Sequence, residues 1–384
     1  MGRRAAPSVL FRNDLEATSV FFSGPREIVI ARDGAELAAA FDRIERARGE
    51  GLWSAGFVSY EAGFFFDEAL ASRGGARAMR TPLLCFGLFD GPEVDAALPD
   101  GGNDGELLSG LRADWDGETY AGKFAVLHDH LRAGNCYQGN LTFPIRGAWR
   151  GNPRDVFDGL TARQPVRYGA CVDLCDPVLV SRSPELFFQV GRDGWIEAHP
   201  MKGTAPRRPD PAEDAAEILK MKDDIKSQAE NRMIVDLLRN DISRISEVGS
   251  LHVPALFEVE TYPTLHQMIS RVRAKLRTDV TIYDIFAALF PCGSITGAPK
   301  IAAMEILDDL ETSPREAYCG AIGYVAPGGE MRFSVAIRTL SLFDSGEAVF
   351  NVGGGIVFDS VAEAEYEEAL LKARFAAGEK WISG

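Results

Sequence analysis

Residues 351–373 read NVGGGIVFDSVAEAEYEEALLKA, and this short stretch joins two kinds of secondary structure. The apolar run over residues 348–352 predicts a strand, and the pattern over 362–377 predicts the last helix of the chain. Between them, the three glycines at 353–355 allow another group to approach the backbone closely, and their amides can hold an anion. The stretch therefore predicts a strand that carries a binding segment and leads into a helix.

The last helix carries two acids and a base along one stripe. Glu365, Glu368 and Lys372 follow an i, i+3, i+7 spacing. At 100° per residue, this spacing places the three side chains within an arc of about 60°. Surface salt bridging is the usual explanation for such a stripe. Its position after the glycines also allows a ligand site.

A helix predicted over residues 211–240 carries a third carboxylate. Glu230 lies on the same helix face as Met233 and Ile234, so we expect it to be buried. Because an unpaired buried charge is costly, Glu230 should be protonated, ion-paired or bound to a metal. A plain salt bridge is an equal alternative. With the two acids of the last helix, Glu230 would complete the all-oxygen kind of site that Mg²⁺ prefers.

Lys202 follows a strand predicted over residues 195–199. Lysines at strand ends are usually solvated. Here, however, the small residues Gly203 and Thr204 leave room for a ligand, and Glu185 would come close if neighbouring strands pair. An acid and an amine together would serve leaving-group protonation and nucleophilic attack.

Strand-like and helix-like segments come in blocks rather than in strict alternation. This order favours an α+β fold with large, mainly antiparallel sheets packed with outer helices. Residues 90–116 are rich in Gly, Pro and acids and read as a surface connection. We therefore expect an N-terminal part over residues 1–115, intertwined with the rest, and a catalytic domain over residues 116–384.

The composition excludes several classes of protein. The chain has 384 residues, of which 46% are hydrophobic and 25% charged, as in ordinary globular proteins. A net charge of -15 argues against a nucleic-acid partner, and no apolar run reaches the length of a membrane span. The six cysteines show no CxxC pair or zinc spacing, which suits reduced thiols and a cytoplasmic location. An anionic substrate would need a locally positive pocket or a metal.

Eight runs of the sequence, in order, resemble the chorismate-utilising enzymes, which include the anthranilate, aminodeoxychorismate, isochorismate and salicylate synthases. The runs are GNCYQGNL, SPELFF, PMKGT, AENRMIVDLLRND, GSITGAPK, YCGAIGY, FSVAIRTL and NVGGGIVFDSVAEAEYEEALLKA. The resemblance covers roughly residues 118–378. It implies the chorismate-binding fold of anthranilate synthase component I.

The resemblance also implies roles for individual residues. Glu230, Glu365 and Glu368 correspond to the Mg²⁺ ligands of the family, and Glu185 corresponds to the general acid that protonates the hydroxyl leaving ring carbon 4. Positions that contact substrate in the family fall on Gln138, Gly203, Thr204, His266, Thr296, Tyr318, Arg338, Gly354, Gly355 and Lys372. Among them, Arg338 and Lys372 are the natural partners of the substrate carboxylates.

Two positions separate the branches of the family. Isochorismate and salicylate synthases carry a water-activating lysine where this chain has Gln138, and anthranilate synthases typically have alanine where it has Lys202. The resemblance therefore implies the aminodeoxychorismate branch, in which the lysine attacks ring carbon 2 and ammonia then adds at carbon 4. That reaction belongs to 4-aminobenzoate and folate biosynthesis. Anthranilate synthesis and a non-catalytic, ligand-sensing subunit are the alternatives.

The expected partners follow from the same resemblance. No Cys-His-Glu arrangement typical of a glutamine amidotransferase is evident in the sequence. By analogy with the family, we expect a separate amidotransferase subunit to supply ammonia, with chorismate as the small-molecule substrate.

Overall fold

The computed structural model describes residues 6–75, 77–95, 107–261 and 265–378, apart from the side chains of Thr204 and Lys226. Within these ranges the strands are β1 (Ser8–Asn13), β2 (Thr18–Ser23), β3 (Glu27–Ala31), β4 (Trp53–Val58), β5 (Leu84–Phe89), β6 (Glu93–Val94), β7 (Leu108–Ala113), β8 (Gln138–Trp149), β9 (Tyr168–Asp173), β10 (Val178–Ser183), β11 (Leu186–Val190), β12 (Trp195–Ala198), β13 (Met201–Pro206), β14 (His252–Thr261), β15 (Leu265–Lys275), β16 (Gly297–Ala298), β17 (Ala321–Val325), β18 (Met331–Val335), β19 (Thr339–Leu342) and β20 (Glu347–Ile356). The α-helices are α1 (Gly34–Gly49), α2 (Gly117–Arg132), α3 (Pro153–Arg163), α4 (Pro211–Asp223), α5 (Ile225–Ser243), α6 (Ile282–Leu289), α7 (Lys300–Leu310) and α8 (Ala362–Ala377), and short 3₁₀ helices cover Tyr60–Phe65 and Gly293–Ile295.

The described strands form two large antiparallel sheets. The first has the order β16-β8-β20-β19-β10-β9-β1-β2-β6, with β7 paired to β8. The second has the order β13-β15-β12-β11-β18-β17-β4-β5-β3, with β14 paired to β15. The α+β prediction, with mainly antiparallel sheets and outer helices, is confirmed.

The sheets pack face to face, and the helices cover their outer faces. Strand β5 illustrates the arrangement, because all of its residues are buried. Leu84, Phe86 and Leu88 join the apolar cluster beneath the helices of the second sheet, whereas Cys85 and Phe89 join the cluster between the sheets. Alternate side chains of a strand point to opposite faces, so a continuous apolar run is what a strand between two layers requires.

Strands from the N-terminal part are built into both sheets. In the first sheet β1 pairs with β9, with Val9 opposite Val172. In the second sheet β4 pairs with β17, with Val58 opposite Ala321. Strands β1 and β4 therefore share backbone hydrogen bonds with strands that come much later in the chain.

The prediction of one continuous helix over residues 211–240 is wrong, because two helices, α4 and α5, occupy this part of the chain. Asp224 separates them with extended backbone angles, φ -73° and ψ 97°. Its carboxylate accepts a hydrogen bond from the backbone N–H of Ser227 at 3.3 Å. A side chain that satisfies a free N–H of the first turn in this way starts a new helix.

Several observed elements were not predicted, and α3 and β7 are two of them. Helix α3 begins after Asn152, whose side chain accepts from the backbone N–H of Arg154 at 2.8 Å, and Pro153 occupies its first turn. The predicted surface connection over residues 90–116 contains strand β7, and its residues 96–106 lie outside the described residues.

No helix in the described part of the chain combines the length and the apolar character needed to cross a membrane. All six cysteines are buried.

Candidate active site

The open edge of β20 carries a cavity. Strand β20 pairs with β8 along its whole length, but with β19 only at Ala348 and Val349. Beyond Val349 a cavity of about 160 Å³ lies against the strand, and residues 351–355 line it. Of the residues predicted for the site, the cavity wall includes Glu185, Lys202, Tyr318, Arg338, Gly354, Gly355 and Lys372.

The ladder between β20 and β8 decides which glycine amide faces the cavity. Asn140 of β8 lies opposite Gly355 and donates its backbone N–H to the Thr296 carbonyl at 2.8 Å, away from β20. Opposite residues in such a non-hydrogen-bonded pair both turn their backbone groups outward. The N–H of Gly355 therefore faces the cavity. By alternation, the N–H of Gly354 points toward β8, so of the two predicted amides only that of Gly355 is available to an anion.

Lys202 and Gln138 meet beside Gly355. A methyl group at Gly355 would lie 3.2 Å from the Gln138 amide and 3.5 Å from Lys202 Nζ. Lys202 Nζ also lies 3.3 Å from Glu230 Oε2. Gln138 is fully buried, and neither of its amide atoms has a hydrogen-bond partner among the described residues. An unsatisfied buried amide is unfavourable, so this position suits a polar ligand.

Glu185 is the buried acid of the cavity, with 7% of its surface exposed. The Ser294 hydroxyl donates to Glu185 Oε1 at 2.7 Å. Burial raises the pKa of Glu185, and the Ser294 hydrogen bond and the charges of Lys202 and Arg338 oppose this shift only in part. The carboxyl group therefore keeps its proton to a higher pH than an exposed glutamate, as a general acid requires.

Arg338 enters the cavity from a strained backbone position. Its φ of 51° is unusual for a residue other than glycine, and its carbonyl accepts from the Arg182 N–H at 2.9 Å. The side-chain oxygen of Gln164, in the amide orientation that satisfies both groups, accepts from Arg338 Nε at 3.2 Å. Burial lowers the pKa of Arg338, although the charge of Glu185 acts in the opposite direction. The guanidinium is thus a partly buried, anchored cation.

Helix α8 brings a lysine and two acids to the glycine segment. Lys372 Nζ donates to the Gly353 carbonyl at 2.9 Å and pairs with Glu368 Oε1 at 2.9 Å. A methyl group at Gly354 would lie 3.2 Å from Glu365 Oε2 and 3.5 Å from Lys372 Nζ. The predicted stripe on this helix is therefore turned toward β20.

The two lysines approach β20 from opposite sides. Lys372 lies near Gly354 and Lys202 near Gly355, and adjacent residues of a strand face opposite ways. With Arg338, these lysines give the cavity three cations around one buried acid. Because the chain has a net charge of -15, an anionic substrate would need such a local positive field in order to bind.

The three glutamates predicted as Mg²⁺ ligands each contact a cation or a hydroxyl. For Glu230, Glu365 and Glu368, the partners are Lys202 at 3.3 Å, Ser360 Oγ at 2.7 Å and Lys372 at 2.9 Å. Among the residues that the structure describes, no three acids, histidines or cysteines are arranged to hold a metal ion. All three carboxylates nevertheless reach the surroundings of the glycine segment, and carboxylate oxygens are the ligands that Mg²⁺ prefers. The donor chemistry therefore fits the metal.

His266 is engaged away from the cavity wall. It is fully buried, and its ring nitrogens contact Thr261 Oγ1 at 2.9 Å and Asp214 Oδ1 at 2.8 Å. Asp214 also accepts from Arg207 Nε at 3.0 Å. Both nitrogens of the imidazole are thus occupied by protein groups, and its predicted contact with substrate stays a prediction.

Three other predicted substrate positions, like Gln138, also lie outside the cavity lining. The Thr296 hydroxyl donates to the Cys292 carbonyl at 3.1 Å. Gly203, at φ 77°, lines a separate cavity between β13, helix α4 and the start of α5. The Thr204 backbone lies opposite Gln267 in β15, and its side chain is outside the described residues. Their roles toward substrate stay predictions.

The structure adds polar residues that the sequence analysis missed. Ser294 contacts the buried acid, and Asn140 and Asn351 line the cavity. Ser294 and Asn140 fall inside the runs GSITGAPK and GNCYQGNL, so a polar residue within a matched run was the available signal.

Comparison with known proteins places this geometry in a family. The model of the family described as chorismate binding enzyme matches residues 9–378. The chain belongs to this family. The resemblance drawn from the eight runs is thereby confirmed, and a cavity lined by three cations is consistent with a chorismate-binding enzyme.

Relatives of this chorismate-binding enzyme come from two branches. Aminodeoxychorismate synthase component 1 of Klebsiella aerogenes is 44% identical over 266 residues, covering 69% of the chain and 58% of the relative. Anthranilate synthase component 1 of Bacillus subtilis (strain 168) is 36% identical over 263 residues, covering 68% and 51%. The crystal structure of anthranilate synthase component I from Streptococcus pneumoniae TIGR4 superposes with a TM-score of 0.79 at 25% identity, covering 97% and 93%. The chain thus spans between half and two thirds of the length of these two sequence relatives.

Proposed function

We propose that this chain forms 4-amino-4-deoxychorismate from chorismate and ammonia. The observation that carries the proposal is the position of Lys202, whose amine lies at the cavity wall beside Gly355. The same cavity holds Glu185, an acid whose pKa is raised by burial. A nucleophilic amine and a proton donor are the two groups that displacement of the ring hydroxyl requires.

The three cations and one backbone amide of the cavity suit the substrate. Chorismate carries two carboxylates, and charge-assisted hydrogen bonds to carboxylates are stronger than neutral ones. Arg338 and Lys372 would bind these groups, and the outward N–H of Gly355 would add a neutral donor. This binding would hold the ring between Lys202 and Glu185.

The first displacement uses both catalytic groups. The Lys202 nitrogen forms a bond to ring carbon 2, and the two ring double bonds each shift by one position. The bond between carbon 4 and its hydroxyl breaks, and Glu185 supplies the proton with which the oxygen leaves as water. Lys202 is then bound covalently to the ring, and Glu185 is a carboxylate.

The second displacement reverses the shift of the double bonds. Ammonia bonds to carbon 4, the bond between Lys202 and carbon 2 breaks, and the lysine amine is released. A proton of the added nitrogen passes to the Glu185 carboxylate and restores the acid. Gln138 lies beside this reaction with a neutral amide, which cannot take a proton from water as a base would. Addition of ammonia is therefore favoured over addition of water.

Glu230, Glu365 and Glu368 are the residues that would hold Mg²⁺. When bound, the ion would neutralise a substrate carboxylate through its positive charge. The present partner of Glu230 is Lys202, whose Nζ lies 3.3 Å from Glu230 Oε2. Engaging Glu230 as a ligand would release the Lys202 amine from this contact.

We also propose that a separate glutamine amidotransferase subunit supplies the ammonia. The proposal is supported by the name component 1 that the Klebsiella aerogenes relative carries, which implies a second component in that protein. Glutamine-dependent activity of the purified chain alone would contradict it. Recovery of that activity on adding an amidotransferase subunit is the expected result.

A product assay tests the proposed reaction. We expect the wild-type chain with chorismate, ammonium and Mg²⁺ to form a product that a lyase converts to 4-aminobenzoate, and EDTA to abolish its formation. Lys202→Ala should lower the rate by at least about 100-fold, because it removes the nucleophile. Undiminished formation of the product by Lys202→Ala would exclude the covalent step.

The assay also distinguishes the proposed reaction from the alternative, anthranilate synthesis. Anthranilate fluoresces directly, without a lyase, and its appearance as the main product would replace the proposal by anthranilate synthesis. Lys202→Arg is the matched control, because it keeps a cation in the cavity but has no nucleophilic amine at neutral pH. We expect Lys202→Arg to bind chorismate and to form no product.

A further inference from the structure

A buried ion pair, Glu311–Arg315, lies behind the cavity wall and has no role in the proposed chemistry. The Arg315 side chain is 1% exposed and that of Glu311 is 7% exposed. Arg315 Nε and one terminal nitrogen donate to the two carboxylate oxygens at 2.8 Å and 2.7 Å. A planar pairing with two parallel bonds fixes the orientation of both groups.

The guanidinium also donates to the cavity wall. It donates to the Ile295 carbonyl at 2.9 Å and to the Asn140 carbonyl at 2.7 Å. Both residues line the cavity. Ile295 directly follows Ser294, whose hydroxyl donates to Glu185 at 2.7 Å. A chain of contacts therefore runs from Arg315 through the backbone of Ile295 and Ser294 to the proposed acid.

Other contacts hold the pair itself in place. Glu311 accepts from the Thr142 backbone N–H at 3.0 Å and from its hydroxyl at 2.9 Å. The Arg315 guanidinium lies 4.4 Å from the centre of the Tyr60 ring, and its backbone N–H donates to Glu61 at 2.6 Å. The pair thus joins β8, the Gly293–Ile295 turn and the N-terminal 3₁₀ helix, and every donor has a fixed direction.

We propose that Glu311–Arg315 is a positioning pair that holds the Ser294 hydroxyl against Glu185 and so orients the acid toward the substrate. This inference rests on the proposed role of Glu185. It assigns a function in catalysis to two residues that touch neither substrate nor reacting atoms.

Because Ser294 contacts Glu185, the pKa of Glu185 distinguishes a positioning role of the pair from a purely structural one. The groups that face Glu185 are the Ser294 hydroxyl, the Cys292 thiol beside it, Lys202 and Arg338. The Ser294 hydrogen bond holds the pKa of Glu185 down against the effect of burial. Losing it should raise that pKa, so the acid would stay protonated, and the enzyme active, to a higher pH. The alkaline limb of the kcat profile should therefore move upward.

Arg315→Lys is the main test variant. Lysine keeps the charge but cannot bond both carbonyls and both carboxylate oxygens at once. We expect kcat for the amino product to fall about 10- to 100-fold, as small displacements of catalytic groups do, with KM for chorismate changed less than twofold. The alkaline limb of the kcat profile should move up to the same pH in Arg315→Lys as in Ser294→Ala. The double variant should show no further movement, because both changes act through one hydrogen bond.

A second variant and a matched control complete the design. Glu311→Gln keeps the shape of the side chain and replaces Arg315→Lys if that variant does not fold. Asp241→Asn breaks another buried pair, Lys300–Asp241 at 2.9 Å, and neither residue lines the cavity. We expect this control to lower Tm and to leave the alkaline limb unmoved.

A titration of the Glu185 carboxyl by ¹³C NMR, assigned with Glu185→Gln, reports on the pair without turnover. An upward movement in Arg315→Lys or Glu311→Gln supports the inference, whereas an unchanged titration in a folded variant overturns it. A wild-type chain that makes no amino product would refute the proposed function. The NMR comparison would still decide whether the pair acts on Glu185.

Discussion

At the scale of single residues, two buried glutamates differ in what surrounds them. Glu185 has a hydroxyl and two cations within the cavity, and its acidity suits proton transfer. Glu61, in the run GFVSYEAG, accepts from the backbone N–H groups of Arg315 and Glu316 with one oxygen. Its other oxygen is buried without a partner among the described residues. We propose that the first acid serves chemistry, whereas the second connects the N-terminal 3₁₀ helix to the segment that carries Tyr318.

Glu61 should make stability depend on pH. Burial raises its pKa to about 8, against about 4.5 for an ordinary glutamate. The folded state therefore favours the protonated form, so stability is lost as the pH rises from about 4.5 to about 8, by up to about 1.4 kcal/mol per pH unit. We expect the unfolding free energy of the wild type to fall more steeply between pH 5.5 and about 8 than that of Glu61→Gln. Unfolding free energies from urea titrations that fall equally with pH in the two proteins would contradict this.

At the scale of elements, two of the three glycines of β20 serve different purposes. A methyl group at Gly353 would lie 2.2 Å from the Leu141 carbonyl oxygen, on the neighbouring strand. At Gly355 it would instead meet the Gln138 amide at 3.2 Å and Lys202 Nζ at 3.5 Å. The first glycine is required by sheet packing, and the last keeps space for the site.

Alanine substitutions should separate these two purposes. We expect Gly353→Ala to lose about 1–3 kcal/mol of stability, because backbone atoms cannot yield to the added methyl group. Gly355→Ala should keep its Tm within a few degrees and lose turnover about tenfold, because the methyl group displaces Lys202 and Gln138. Thermal unfolding and steady-state kinetics of both variants check this. The reverse pattern would mean that Gly355, rather than Gly353, is the packing residue.

Local sequence patterns predicted some elements well and others poorly. The last helix is observed over Ala362–Ala377, where periodicity placed it. The helix predicted over residues 211–240 is divided at Asp224, because a carboxylate that caps a new turn leaves the apolar periodicity of the flanking helices almost unchanged. Periodicity thus reports which residues face the core, and not whether the backbone between them is continuous.

At the scale of the whole molecule, the N-terminal strands complete both sheets. Strand β1 lies between β2 and β9, and β4 lies between β5 and β17. Removing residues 1–115 would expose the edges of β9 and β17 and one side of the apolar cluster between the sheets. Unpaired strand edges and exposed apolar surface promote aggregation.

The chain should therefore unfold as one cooperative unit. We expect a single calorimetric transition for residues 1–384, with equal calorimetric and van't Hoff enthalpies. A fragment of residues 116–384 should be aggregated or unfolded when expressed alone. Two resolved transitions, or a folded and soluble fragment with the far-UV spectrum of the intact domain, would show that the two parts are independent.

The sequence by itself determined the α+β class, the family and the stripe of Glu365, Glu368 and Lys372. These follow from residue chemistry and from periodicities that a short segment contains in full. Only the tertiary structure decided that the Gly355 amide faces the cavity, and that Ser294 supports Glu185 from 109 positions away. Strand register and such distant contacts depend on how separate segments pack together, and no local pattern encodes them.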